Sequence, residues 1–148
     1  DGAYDDDGQL PLSGWAVDAL AVVGPLRLTG EFDHFAAGQA VGPDARLEGW
    51  YVRAALDVFT RLLRSGRHGE LFPEARVSLV GQVERVDLAG PLEGTWEENS
   101  EERLTLGLNY RPASSWVLKL DREWRRAPDR ALVFGDEEAW LGSIGFVF

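Results

Sequence analysis

The feature that most constrains this chain is an alternation of apolar and polar residues with a period of two, repeated over stretches of about ten residues. In "RLTLGLNYR", Leu104, Leu106, Leu108 and Tyr110 fall on one side, and Arg103, Thr105, Gly107, Asn109 and Arg111 on the other. A period of two is that of an extended strand whose two faces meet different surroundings. The pattern recurs seven times and predicts an all-β, antiparallel chain.

The first predicted strand spans Leu12 to Val23, with Trp15, Val17, Ala19, Ala21 and Val23 together and Asp18 opposite. After the Gly24-Pro25 turn the second runs to about Phe35, setting Leu26, Leu28, Gly30 and Phe32 against Arg27, Thr29, Glu31 and Asp33. The third places Trp50, Val52, Ala54, Leu56 and Val58 against Tyr51, Arg53, Ala55 and Asp57. Here a helix competes, because "VRAALDVFTRLLRSG" contains good helix formers, with Gly66 as a C-cap. The strand reading is preferred for its strand-like neighbours. A basic, Gly-containing link then leads to a fourth strand, Ala75 to Asp87, followed by the acidic loop "LAGPLEGTWEENSEE". The fifth strand is 103–111 and the sixth "WVLKLDREW", joined by "PASS". The seventh carries Trp140, Gly142, Ile144, Phe146 and Phe148 on one face.

Alternation alone also fits a soluble sandwich, whose apolar face covers a core. Three features separate the readings. The strands have the length that crosses a hydrocarbon layer at a tilt, whereas soluble strands average five or six residues. On the apolar face the aliphatic residues occupy the strand centres and the aromatics the ends: Trp15, Phe32, Trp50, Trp124 and Trp140 at one rim, Tyr110, Trp116, Phe146 and Phe148 at the other. Two aromatic girdles are expected at the two membrane interfaces. Finally, the connections alternate between short and long, as in an outer-membrane barrel. With the C-terminus on the periplasmic side, "GP" and "PASS" are periplasmic turns and the long loops face outward.

Composition narrows the function. The net charge of −10 argues against nucleic-acid binding, which needs a basic face. The absence of cysteine removes disulfides, thiolate metal sites and cysteine nucleophiles together. With no methionine and an acidic opening "DGAYDDDGQLPL", the chain reads as processed or as a piece of a longer one. Residues 1–11 are expected to be an extracellular loop. An odd count of seven strands cannot close a bacterial barrel, so further strands are expected upstream of Asp1.

The terminal "AWLGSIGFVF" resembles the C-terminal signal of outer-membrane β-barrels, with Phe148 as the aromatic that barrel-assembly machinery reads. "RLTLGLNYRPASSWVLKLDREW" and "GWYVRAALDVFTR" are similar to closing strands of the phosphate-selective porin O and P family. The resemblance implies a diffusion channel for small hydrophilic solutes or anions such as phosphate, assembled as a homotrimer in the bacterial outer membrane among phospholipid and lipopolysaccharide. It implies no cofactor and no catalysis. The link after Phe59 departs from the family pattern, being longer and more basic than a tight turn.

On this reading the pore-lining candidates are Arg27, Arg53, Arg76, Arg103, Arg111 and Lys119 among the bases, and Glu31, Asp57, Glu84 and Asp121 among the acids. With Asp18, Asp33 and Glu123 the opposite charges nearly cancel. Cross-strand ion pairing is therefore preferred to a dedicated anion ladder. Arg53, Arg103 and Lys119 are the leading basic candidates for the pore. "DDDG" lacks the ligand spacing of a calcium loop and reads as solvated. His34 and His68 stand in no spacing that suggests a hydrolase, although an outer-membrane hydrolase assembled by geometry stays open. A soluble lipocalin-like or sandwich module for an apolar ligand is the other alternative.

Overall fold

The computed structural model describes residues 11–38, 44–92, 95–126 and 137–146, without the side chains of 91–99. Seven antiparallel strands form one sheet in sequence order: β1 (Leu12–Val23), β2 (Leu26–Ala37), β3 (Ala45–Val58), β4 (Arg76–Leu92), β5 (Thr95–Arg111), β6 (Trp116–Arg126) and β7 (Glu137–Phe146). The chain is thus all-β, with β1 and β7 as the two edges.

The registers keep the two predicted faces intact across every strand pair. Leu28 opposes Ala21 and Ala54, Ala54 opposes Gly81, and Gly81 opposes Leu106. Directly opposed residues share a face, so the apolar sides of seven strands merge into one surface. That surface covers no core. Val17 is 57% exposed, Leu106 49% and Ile144 66%, and the one buried apolar side chain among the described residues is Ala75.

The polar side is the inside of the curl. One cavity is lined by polar-face residues of six strands, from Val22 on β1 to Lys119 and Asp121 on β6, and such a cavity exists only where the sheet bends around that face. We call the end holding residues 24–25 and 112–115 the turn end, and the opposite one the loop end.

At the turn end, Gly24 has φ 58°. A two-residue hairpin turn with positive φ at its first position and proline's fixed negative φ at its second matches the type II′ form, which needs glycine in that place. Between β3 and β4 the chain makes two short helices, α1 (Thr60–Leu63) and α2 (Gly66–Leu71). The competing helix over 52–66 is therefore confined to the link, and the strand runs through to Val58. Phe59, at φ 56°, is the single non-glycine residue of positive φ among the described residues and turns the chain out of the sheet. No described helix is long and apolar enough to cross a membrane.

One expectation needs correction. The acidic stretch 88–102 is not a loop, because β4 continues to Leu92 and β5 starts at Thr95, with Leu92 opposing Thr95 and Ala89 opposing Glu98. This extension carries no alternation because it lies beyond the apolar band, where neither face selects apolar residues.

Candidate functional site

Every candidate pore residue lies on the polar, concave face, and the register divides the set into two groups. At the loop end Arg103 meets Glu84 at 3.0 Å, Glu101 at 3.0 Å and Glu123 at 3.4 Å. Arg125, one strand away and opposite Arg103, shares Glu101 and Glu123 at 3.1 Å each and reaches Glu137 at 3.9 Å. Two guanidiniums thus stand among four carboxylates, and Glu31 lies two strands along from Glu84 in the same row. This rim is densely ion-paired and net acidic.

Toward the turn end the balance reverses. The cavity there, about 290 Å³, is lined by Arg27, Arg53, Arg76, Arg111 and Lys119 against two carboxylates, Asp57 and Asp121. Asp57 accepts from Ser78 Oγ at 2.5 Å, and Arg53 donates to Gln82 Oε1 at 2.6 Å, while Gln82 bonds onward to Glu84. No ion pair among the described residues engages any of these five cations. The expected near-cancellation of charge is therefore a sum over two separated regions. Cross-strand pairing describes the rim; the deeper surface carries five cations that no described ion pair engages, beside two carboxylates.

The apolar face holds all eight described aromatic candidates: Trp15, Phe32, Trp50, Tyr110, Trp116, Trp124, Trp140 and Phe146. Trp15 stacks on Phe32 at 5.2 Å, and Trp116 meets Phe146 at 5.7 Å. Phe148 lies outside the described residues, as does "DDDG".

Between these girdles the geometry fits a bilayer. Followed across the sheet, Trp140 opposes Arg122, then Leu106, Gly81, Ala54, Leu28 and finally Ala21. Ala21 is six residues (21 − 15) from Trp15, which marks the same girdle on β1. Six residues over six strand-to-strand steps is one residue per strand. With ~3.3 Å rise per residue and ~4.8 Å between strands, that stagger levels the girdle when the strands tilt by roughly 35°. The separation from Trp15 to Val23, or from Trp116 to Trp124, is eight residues, which at this tilt spans about 22 Å along the membrane normal, close to the ~25 Å band of outer-membrane barrels.

Charged residues on this same face were missed by the alternation. Arg122 lies among the girdle tryptophans, donates to Glu138 from Nε at 2.9 Å and Nη2 at 2.5 Å, and stands over Trp124 and Trp140. Arg85 is bonded to Asp87 and Glu102, and His34 to Glu48 at 3.0 Å. These pairs edge the aliphatic surface at the loop end. The signal for Arg122 was present as a break in the β6 pattern, but its partners depend on register.

His34 and His68 are both committed to other partners. In a neutral His68 ring, Nδ1–H donates to the Leu63 carbonyl at 2.6 Å and Nε2 accepts from the Tyr110 hydroxyl at 2.9 Å. The described residues contain no group of three or more His, Asp and Glu arranged to hold a metal.

Comparison with known proteins adds little. No family model matches the chain, and no curated protein matches it in sequence. Among solved structures, Neisserial surface protein A (NspA) aligns over 88% of this chain and 79% of its own, with a TM-score of 0.41 and 12% identity. The resemblance to the phosphate-selective porin O and P family is not supported by any of these matches. What the chain displays is an antiparallel all-β sheet of seven strands, curled around its charged face.

Proposed function

We propose that this chain forms part of a bacterial outer-membrane β-barrel that lets small hydrophilic solutes diffuse along its polar concave face, with a preference for anions. The observation that carries the reading is the inversion of the faces: the aliphatic, girdled surface is outside and exposed, and the charged surface is inside the curl. A soluble lipocalin-like module would need the apolar face on the concave side, and a sandwich would bury it. The uncompensated cations at the turn end favour anions over cations. Phosphate is one candidate among them, and the charge field alone does not select it.

Edges β1 and β7 would leave unpaired donors and acceptors in hydrocarbon at several kcal/mol each. We infer that further strands pair with them, completing a barrel to which residues 1–148 contribute seven strands. Lipopolysaccharide and phospholipid around the girdles, assembly machinery acting at Phe148, and a trimeric assembly belong to the same proposal. The chemistry is passive, without a covalent step.

Reconstitution tests this. The full-length protein should require detergent, insert into planar bilayers and give ohmic steps whose reversal potential in a salt gradient favours anions. A folded, monodisperse protein in plain buffer would contradict the membrane reading, and a cation-selective reversal potential would contradict the anion preference.

A further inference from the structure

The link between β3 and β4 lines none of the concave-face cavity, and its composition is anomalous. In a chain of net charge −10 it carries Arg61, Arg64 and Arg67 within seven residues, all exposed. Interspersed with them are large apolar side chains that cover nothing: Phe59 is 67% exposed, Leu62 71% and Leu71 66%. Exposed apolar groups set among cations, on short helices, are what a peripheral membrane segment presents to a lipid surface.

Its position agrees. His68 is bonded to Tyr110, a girdle residue on the apolar face of β5, and packs its ring against Phe72 at 5.3 Å. Glu74 holds the end of the link by accepting from the backbone N–H of Ser114 at 3.2 Å. No residue of 59–75 lines the cavity of the concave face. The link therefore folds outward over the lipid-facing wall at the turn end, continuous with Leu56 and Val58, instead of inward as a plug.

We propose that this segment is a membrane-surface anchor: Phe59, Leu62 and Leu71 enter the boundary of the leaflet at the turn end, and Arg61, Arg64 and Arg67 bind the phosphate groups of anionic phospholipids there. The inference rests on the membrane reading above and adds a lipid specificity to it. Each arginine at an anionic surface biases the docked state about fivefold. A tight turn in this place would not supply that interaction.

Residues 1–148 contain no cysteine, so single cysteines can be introduced there for labelling in the full chain, with any cysteine outside them replaced by serine. Leu62→Cys, Leu71→Cys, Ser114→Cys in the neighbouring short turn and Leu79→Cys in the apolar band would each carry an environment-sensitive fluorophore, in vesicles of phosphatidylcholine alone or with phosphatidylglycerol. The expected result is that labels at positions 62 and 71 are shielded from aqueous iodide, more strongly with phosphatidylglycerol, while the label at 114 is quenched. Replacing Arg61, Arg64 and Arg67 with Gln should remove the dependence on phosphatidylglycerol and leave position 79 shielded. Iodide reaching 62 and 71 as freely as 114, with 79 shielded, overturns the anchor alone. Shielding that ignores lipid charge overturns the anionic specificity. Iodide reaching 79 overturns the membrane reading and the anchor with it.

Discussion

Arg122 stands with its guanidinium carbon 4.8 Å from the ring centroid of Trp124, on the same face as Leu120 and Ile144. A cation on this largely apolar face is tolerable because Trp124 and Trp140 offer it their rings and Glu138 its carboxylate. Arg122→Ala should destabilise the folded protein by about 1–2 kcal/mol, through loss of the ring contacts and of Glu138's partner. Glu138→Ala alone should cost less, and the double variant should cost less than the sum, with a coupling of about 1 kcal/mol. Urea unfolding from lipid vesicles measures all three; strict additivity would show that the pair does not interact.

The two faces should respond oppositely to charge. Leu106→Arg places a cation among Gly81, Leu104 and Leu108 on the apolar face and should cost about 2–4 kcal/mol in a bilayer, falling where the position is nearer an interface. Thr105→Arg, one residue away on the concave face, should change stability by less than about 1 kcal/mol. Equal effects at the two positions would mean that neither face touches lipid.

The concave face should divide its duties between its ends. Arg103→Gln removes the ion pair of Glu84, while Arg125 still holds Glu101 and Glu123. Because Arg103, Glu84 and Glu101 are partly exposed and the buried Glu123 keeps Arg125, the loss should be limited to about 1 kcal/mol. Arg111→Gln with Lys119→Gln removes cations that no described carboxylate engages, so stability should stay within about 0.5 kcal/mol of the parent. The reversal potential should nevertheless move toward cations. If the reversal potential is insensitive to both residues, the cavity at the turn end does not set selectivity.

The strands and their faces were legible because two different surroundings impose a period of two on any strand that separates them. β1 was placed from Leu12 to Val23 on that signal alone. Where both faces meet the same surroundings the signal vanishes, which is why the paired extension of Leu88 to Leu92 read as loop. The charged face was legible as a set of residues but not as two regions. Arg103 and Arg111 sit on one side of one strand, and only the stagger between neighbours shows that the first joins the carboxylates and the second the free cations. Arg122 escaped for the same reason, since its partners come from β7 through register. The link at 59–75 was legible as basic and too long for a turn, while its outward fold depends on the bond between His68 and Tyr110.

The central claim is that the apolar face meets lipid and the polar face meets water, and β5 tests it residue by residue. Spin labels placed singly from Arg103 to Arg111 in the vesicle-bound, full-length protein would report collision with oxygen, which concentrates in lipid, and with a water-soluble nickel chelate. Oxygen accessibility should peak at 104, 106, 108 and 110 and nickel accessibility at 105, 107 and 109, in antiphase with a period of two. Nickel reaching the even positions as readily as the odd ones, or the same alternation with its phases exchanged, would contradict the account.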